Sequence, residues 1–188
     1  MSLLYRVVVR RIMVLGGSGN GKTTLARELA RRLDLTHVEL DGLFHVTHFG
    51  SATPEEFRAA LEERISAAPN GWVTCGNYLS MAEDLHTRRA DTAIWLDHPR
   101  WLVTSRTARR TIRRAVTRQR LFGNDLREPL TNVTRWDPEV NVIRWAWVHH
   151  PTNRATIGEY LASPVCAHLD VHHLHTTHEV ETFLAGVE

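Results

Sequence analysis

The sequence has little cysteine, almost no lysine and no long hydrophobic run. Its two cysteines, Cys75 and Cys166, stand far apart and form no CxxC or other ligand-like spacing, which excludes a disulfide framework. No stretch approaches the roughly 18 uninterrupted apolar residues of a membrane-spanning helix. The first fifteen residues carry three arginines within an apolar run and lack a clean signal-peptide core. We therefore expect a cytoplasmic protein without a membrane partner.

The composition is that of a folded domain. The chain has 188 residues, of which 43% are apolar and 23% are charged. This apolar fraction can bury enough surface to offset the conformational entropy of the chain, which excludes intrinsic disorder. The length suits one domain with a single core, and we expect residues 1–188 to form it. The sequence leaves open whether the protein is a monomer or a homodimer, and whether residues 1–10 extend the first strand.

Short apolar segments alternate with longer amphipathic ones, a pattern typical of an α/β fold with a parallel sheet. Strands are predicted at residues 11–15, 37–40, 72–75, 92–96 and 165–174. Helices are predicted at 22–33, 54–68, 101–120, 139–149 and 153–162, and from residue 177 onward.

A glycine-rich segment directly follows the first predicted strand and matches the pattern GxxxxGK[ST]. Glycines let the backbone turn tightly and aim its N–H groups at phosphate oxygens, and the helix that follows adds its positive dipole end. Lys22, the only lysine among the 23 basic residues, can reach the β- and γ-phosphates, and the Thr23 hydroxyl can ligate Mg²⁺. The predicted ATP-binding residues are Gly16, Gly17, Ser18, Gly19, Asn20, Gly21, Lys22, Thr23 and Thr24.

Further motifs are more specific than this phosphate loop. RIMVLGGSGNGKTTLARELA is followed by HVELDGLF, GWVTCGNY, ADTAIWLDHPR, an arginine-rich helix and IRWAW. Over about residues 11–184 the chain resembles the adenylate-kinase-like P-loop proteins of the DNA topology modulation (FlaR-related) family. The resemblance implies a P-loop NTPase of the nucleotide-kinase type, with three αβα layers and a parallel five-stranded sheet. It also implies an acceptor region at about 42–71 and a helical, arginine-rich lid at about 114–140.

Acidic residues near strand ends are candidates for acceptor activation and metal binding. Asp41 follows the second predicted strand, where an acid in P-loop kinases acting on hydroxyl groups contacts the acceptor or the metal shell; the alternative is a simple Asp-Gly turn. Asp97 ends an apolar run and is a candidate Mg²⁺ ligand beside Thr23, or only a helix cap. The family often has Asp where this chain has Cys75, which shifts metal binding to Thr23 with Asp41 or Asp97.

Arginines dominate the helix after the fourth predicted strand. Eight arginines and no acid lie between His98 and Asn124, and several recur at steps of three and four residues on one helical face. Lids of this fold use such groups to clamp ATP and the transferring phosphoryl group, so we expect Arg109, Arg113 and Arg144 to be catalytic with Lys22 and Asp41. Nucleic acid binding by this face is not favoured, because the net charge is only +2.

The acceptor region carries few arginines. None occurs between Arg32 and Arg58, whereas nucleoside monophosphate kinases hold the acceptor phosphate with arginines in this region. An acceptor phosphate would have to be met by Arg58, Arg88 or Arg89 instead, which favours an acceptor that offers a hydroxyl, such as a nucleoside or a small polyol. The predicted substrate-binding residues are Asp41, Phe44, Asn77, Tyr78 and Arg88.

Twelve histidines invite a search for a metal site. His173 and His175 would share one strand face, but no cysteine or acid completes a ligand set at a recognised spacing, and a structural zinc site is not predicted. The sequence as a whole predicts a kinase that transfers the γ-phosphoryl group of Mg-ATP to a nucleoside or nucleotide. The alternative is an ATP-binding regulatory protein that affects DNA topology with little or no kinase activity.

Overall fold

The first strand and the helix after it position the phosphate loop. The computed structural model of the chain describes residues 10–45, 52–117, 137 and 141–187. Strand β1 spans Arg11–Gly16 and is buried from Ile12 onward, and helix α1 spans Lys22–Leu33. The loop between them therefore lies at the carboxyl end of a buried strand and at the amino end of a helix.

All five strands run parallel, in the order β2-β3-β1-β4-β5. The other four strands are β2 (Thr36–Glu39), β3 (Trp72–Cys75), β4 (Thr92–Leu96) and β5 (Asp170–Leu174). The chain passes from β1 to the edge strand β2, returns to β3 beside β1, and then continues on the other side of β1. Such a reversal opens a crevice at the carboxyl ends of the strands, where open α/β sheets bind their ligands.

Helices cover both faces of the sheet. Besides α1, they are α2 (Leu40–Phe44), α3 (Pro54–Ser66), α4 (Arg100–Thr117), α5 (Val142–Val148), α6 (His150–Leu161) and α7 (Thr177–Ala185). Alternate residues of β1 point to opposite faces: Met13 joins a cluster with Phe57 of α3, and Val14 joins one with Leu25 of α1. The predicted three-layer αβα fold with a parallel five-stranded sheet is confirmed.

Several predicted elements have different bounds, and three of them differ for a clear physical reason. Strand β2 ends at Glu39, and the chain turns at once into the short helix α2, whose first residue Leu40 is fully buried. The last strand begins only at Asp170, because residues 164–166 form a 3₁₀ turn. Helix α6 begins at His150 rather than at residue 153, because Pro151 fits the first turn, which needs no N–H donor.

Two predicted regions lie partly outside the described residues. Of the expected acceptor region at 42–71, residues 46–51 are outside, and α3 forms most of the rest. Of the expected lid at 114–140, only residues 114–117 and 137 are described. Within the described ranges, no helix has both the length and the apolar character needed to cross a bilayer.

Candidate active site

A cleft of about 1620 Å³ lies at the carboxyl end of the sheet. Its floor is the phosphate loop, one wall is α4, and the other wall is formed by residues that follow β2 and β3. Sites for single small ligands typically measure about 300–1000 Å³, so this cleft has room for a nucleotide and a second small molecule.

The phosphate loop depends on glycine where it approaches α4. Gly19 has a φ of 90°, a conformation that residues with a side chain rarely adopt. A Cβ built on Gly19 would lie 2.5 Å from the carbonyl oxygen of Val103 in α4 and would also meet the Thr107 hydroxyl. The loop and α4 are therefore in direct backbone contact, and α4 holds one side of the loop in place.

Two asparagines hold the loop from its other sides. The Asn20 Oδ1 accepts a hydrogen bond of 3.0 Å from the His98 N–H, just after β4. The Asn77 amide makes a reciprocal pair with Gly16: its Nδ2 donates to the Gly16 carbonyl at 2.9 Å, and its Oδ1 accepts from the Gly16 N–H at 3.2 Å. Asn77, predicted to bind substrate, thus lines the cleft but uses its amide to position the loop.

Lys22 lies inside the curve of the loop. Its Nζ donates hydrogen bonds to the carbonyl oxygens of Gly16 at 2.8 Å and Gly17 at 3.2 Å. Burial lowers the pKa of Lys22, and the nearby Asp41 carboxylate acts in the opposite direction. The lysine is therefore held inside the curve of the loop by the carbonyl oxygens of the loop itself.

The acid beside Thr23 is one that sequence reasoning missed. Thr23 Oγ1 donates to Oε1 of Glu39 at 3.2 Å, and Glu39 is the last residue of β2. Cys75 is paired with Glu39 on the neighbouring strand β3, and its Sγ lies 3.8 Å from the same hydroxyl; burial raises the pKa of this thiol to about 11. A hydroxyl and a carboxylate are the oxygen donors that Mg²⁺ prefers, so this pair fits the ion that the fold implies. Glu39 could have been identified from the sequence, because it is an acid near the end of a predicted strand, two positions before Asp41.

Asp41 and Tyr78 lie together on the wall of the cleft that is formed by residues after β2 and β3. The Tyr78 hydroxyl donates to Oδ1 of Asp41 at 2.9 Å, and burial together with the Asp41 carboxylate raises the pKa of Tyr78, so the phenol stays protonated. The centroid of the Tyr78 ring also lies 5.0 Å from the centroid of the Phe44 ring. Phe44, predicted to bind substrate, is partly buried against the core and is not among the described residues that line the cleft.

Four arginines of α4 line the cleft: Arg106, Arg110, Arg113 and Arg114. Arg110 makes direct contact with the phosphate loop, donating from Nη2 to the Ser18 hydroxyl at 3.0 Å. Arg113 was predicted from the sequence to be catalytic, whereas Arg110 was not.

The structure does not bring two of the predicted catalytic arginines to this cleft. The buried face of α4 is formed by Val103, Thr107, Thr111 and Ala115. At about 100° per residue, Arg109 lies roughly 180° from the centre of that face, and it is exposed. Arg144 lies in α5 and is absent from the described lining of the cleft, although its neighbour Trp145 belongs to it. The spacing of the small buried residues in α4 could have predicted this orientation.

Asp97, predicted as a Mg²⁺ ligand, does not share the cleft with Thr23. Its carboxylate accepts hydrogen bonds from Arg154 Nε at 2.8 Å and from His173 Nε2 at 2.9 Å, and it does not line the described part of the cleft. Its neighbour His98 contacts the loop, because the His98 N–H donates to Asn20.

Comparison with known proteins identifies the fold. No protein-family model matches the chain, and no curated protein sequence matches it. Solved structures do match. A shikimate kinase from Bacteroides thetaiotaomicron has a TM-score of 0.53 at 15% identity, covering 94% of this chain and 95% of that one. A gluconokinase from Sinorhizobium meliloti has a TM-score of 0.52 at 16% identity, with coverages of 96% and 94%. A shikimate kinase from Acinetobacter baumannii in complex with shikimate has a TM-score of 0.50 at 18% identity, with coverages of 94% and 89%.

The chain has the fold of the P-loop kinases. At these identities the likeness concerns the fold alone, and it confirms the nucleotide-kinase-like P-loop architecture. The narrower resemblance to the DNA topology modulation proteins stays a prediction.

The arginines that could have met an acceptor phosphate are engaged elsewhere. Arg58 donates two hydrogen bonds of 2.7 Å to the Asp84 carboxylate. Arg88 pairs with Glu83 at 3.5 Å, and Arg89 pairs with Glu62 at 2.9 Å. These three arginines are not among the described residues that line the cleft, and this includes Arg88, which was predicted to bind substrate.

Proposed function

We propose that the protein is a P-loop kinase that transfers the γ-phosphoryl group of Mg-ATP to a hydroxyl group of an uncharged small molecule, a nucleoside or a small polyol. One observation carries the proposal. The Asp41 carboxylate lies in the same cleft as Lys22 and Thr23, so an acid able to orient a hydroxyl faces the phosphate loop. The neighbours named as shikimate kinases and a gluconokinase support transfer to a small molecule.

The donor side of the reaction rests on the phosphate loop. Its backbone N–H groups and Lys22 would bind the phosphates of ATP, and Arg110 and Arg113 would offset negative charge on them from the α4 wall. Thr23 and Glu39 would hold Mg²⁺, which when bound neutralises charge on the phosphate oxygens. Asn20 and Asn77 act indirectly, because they keep the loop in shape.

The acceptor side rests on Asp41. Tyr78 occupies Oδ1 of Asp41 and so fixes the orientation of the carboxylate. The acceptor hydroxyl would then donate its proton to Oδ2 while its oxygen forms a bond to the γ-phosphorus and the bond from phosphorus to the ADP oxygen breaks. The proton ends on Asp41, and ADP leaves. Positioned acid–base groups of this kind typically contribute about 10²–10⁴-fold to the rate.

The charges around the acceptor side favour an uncharged acceptor over a nucleotide. Arg58, Arg88 and Arg89 are held by carboxylates away from the cleft. A phosphate on the acceptor would instead lie near the Asp41 carboxylate, which repels it. A neutral hydroxyl compound meets no such cost, and Asp41 accepts a hydrogen bond from it.

The arginines of α4 also distinguish the kinase from a DNA-facing regulator. A surface that binds DNA needs its guanidinium groups turned outward to the phosphate backbone. Four arginines of α4 line the cleft beside the phosphate loop instead. This orientation supports a role toward ATP.

The test is ADP release from Mg-ATP in the presence of nucleosides, nucleoside monophosphates and small polyols. We expect stimulation by an uncharged acceptor. Asp41→Asn should lower the acceptor-dependent kcat by at least about 100-fold while ATP affinity is retained. The matched control Asp170→Asn alters an exposed carboxylate outside the cleft and should keep full activity. Flat rates over the whole panel, despite tight ATP binding, would refute the kinase.

A further inference from the structure

A cluster of metal-ligating side chains lies outside the cleft, around Asp97. The Asp97 side chain is only 4% exposed, and its Oδ2 lies 2.9 Å from Nε2 of His173 and 3.5 Å from Nδ1 of His175. The three ligand atoms all lie within 4.8 Å of one another. The kinase proposal uses none of these side chains.

We propose that Asp97, His173 and His175 form a binding site for a divalent transition-metal ion of the Zn²⁺ type. In tetrahedral zinc sites with bonds of about 2.0–2.1 Å, neighbouring ligand atoms are about 3.3 Å apart. The two distances from Asp97 lie on either side of that value, and the two histidine nitrogens lie within 4.8 Å of each other, so the three atoms are near the spacing of ligands to one ion. The proposal stands apart from the proposed function, because it concerns a different metal at a different place.

The sheet itself places the three ligands together. Asp97 directly follows β4, and His173 and His175 lie at the carboxyl end of β5, which pairs with β4 in parallel. The Asp97 N–H donates to the Leu174 carbonyl at 2.8 Å, which continues the pairing of the two strands to this point. Alternation along β5 puts His173 and His175 on one face, either side of Leu174. The ligands therefore need no folding of a loop to meet.

One neighbouring group orients a ligand, and another occupies the ligand oxygen of Asp97. The His173 ring stacks on Trp95 with a centroid distance of 3.8 Å and an interplanar angle of 5°. Arg154 donates from Nε to Asp97 Oδ2 at 2.8 Å. The stacking restricts the His173 ring before an ion arrives, whereas Arg154 occupies the Asp97 ligand oxygen itself and has to give way to the ion. The Arg154 side chain is 56% exposed, so its charge is largely screened by water and it can move aside.

The ligand set selects the class of ion. Two imidazoles and one carboxylate suit Zn²⁺, Co²⁺ or Ni²⁺, whereas Mg²⁺ and Ca²⁺ prefer oxygen ligands alone. The side chains of His173 and His175 are 34% and 48% exposed, so an ion can enter from solvent and water can complete its coordination. Three protein ligands with one open position are the arrangement of an accessible zinc site rather than a closed structural one.

The test uses the untagged full-length chain, stripped of metal with a chelator, at about pH 7.5, where imidazoles are neutral. Zn²⁺ binding is measured by calorimetry, and Co²⁺ binding by its visible absorption. We expect one tight site per chain and a rise in melting temperature on adding Zn²⁺. His173→Gln and His175→Gln should each weaken binding at least tenfold and abolish that rise.

The chain offers a matched control on the same strand. His172 lies between β5 residues of the opposite face and pairs with Asp170, so His172→Gln should leave Zn²⁺ affinity unchanged. Circular dichroism of each variant in chelator shows whether it is folded, which separates lost ligands from lost structure. Binding that is absent in the parent chain, or that His173→Gln and His175→Gln leave intact, would overturn the proposal. Equal loss in the His172→Gln control would overturn it too.

Discussion

The contact between the phosphate loop and α4 can be measured with two alanine substitutions. Gly19 and Gly21 have nearly the same backbone, with φ angles of 90° and 93°. A side chain at either position is strained, at a cost of about 1–3 kcal/mol. Their surroundings differ. A Cβ on Gly19 would meet the Val103 carbonyl oxygen at 2.5 Å, whereas no described heavy atom lies within 4 Å of a Cβ on Gly21.

The difference between the two variants therefore isolates the packing of α4 on the loop. Gly21→Ala should lower the free energy of unfolding by the backbone strain alone, about 1–3 kcal/mol. Gly19→Ala adds overpacking against a rigid backbone, typically about 1–3 kcal/mol more. In a domain of this size each kcal/mol shifts the melting temperature by about 2–4 °C. We expect Gly19→Ala to melt clearly below Gly21→Ala.

The measurement is urea denaturation and thermal melting of both variants without nucleotide. Equal destabilisation of the two variants would refute the reasoning, because it would mean that α4 does not press on the loop at Gly19. A changed urea m-value would instead indicate an altered denatured or native state, and the comparison is then made from melting temperatures.

Three further predictions concern Arg110, Tyr78 and His86. Arg110→Ala removes the contact with Ser18 and should weaken ATP binding by at least about fivefold. Arg109→Ala, on the opposite face of α4, should leave ATP binding unchanged. Equal effects of the two variants in a nucleotide-binding assay would contradict the orientation of α4. Tyr78→Phe should lower the acceptor-dependent kcat by about 5- to 50-fold with little change in the KM for ATP, because Asp41 loses the hydrogen-bond donor that orients it. Unchanged steady-state kinetics would show that the hydrogen bond between Tyr78 and Asp41 does not contribute to catalysis. Burial lowers the pKa of His86 to about 4, whereas the unfolded chain binds this proton near pH 6.5. His86 should therefore reduce the free energy of unfolding by up to about 1.4 kcal/mol per pH unit as the pH falls from about 6.5 to 4. Urea denaturation of His86→Gln should show a correspondingly shallower pH dependence, and an identical slope would argue against this role.

Local features of the fold were predictable because they depend on neighbours in sequence. The helix that begins at Pro54 is one example: Thr53 accepts from the Glu56 N–H at 3.2 Å, and Glu56 returns a bond to the Thr53 N–H at 2.8 Å. Such a capping box needs only four consecutive residues. The phosphate loop is another, since its backbone shape is encoded by the spacing of its glycines and lysine.

The errors in element bounds have a different origin. The segment 37–40 looks like a continuous strand because apolar Val38 and Leu40 alternate with polar residues, yet the chain turns at Leu40. Leu40 is fully buried in a cluster with Phe57. Packing across the sheet edge thus overrides local preference, and it also points Asp41 into the cleft.

The sequence by itself determined the phosphate-loop motif, the parallel α/β architecture and the identity of Asp41 as a candidate, because each follows from local patterns of glycine, charge and apolar residues. Only the tertiary structure decided which acid lies beside Thr23, which arginines of α4 face the loop, and that Asp97 joins two histidines rather than the cleft. These facts depend on strand order and on the rotation of one helix against the sheet. Both are set by the packing of residues that are far apart in the chain.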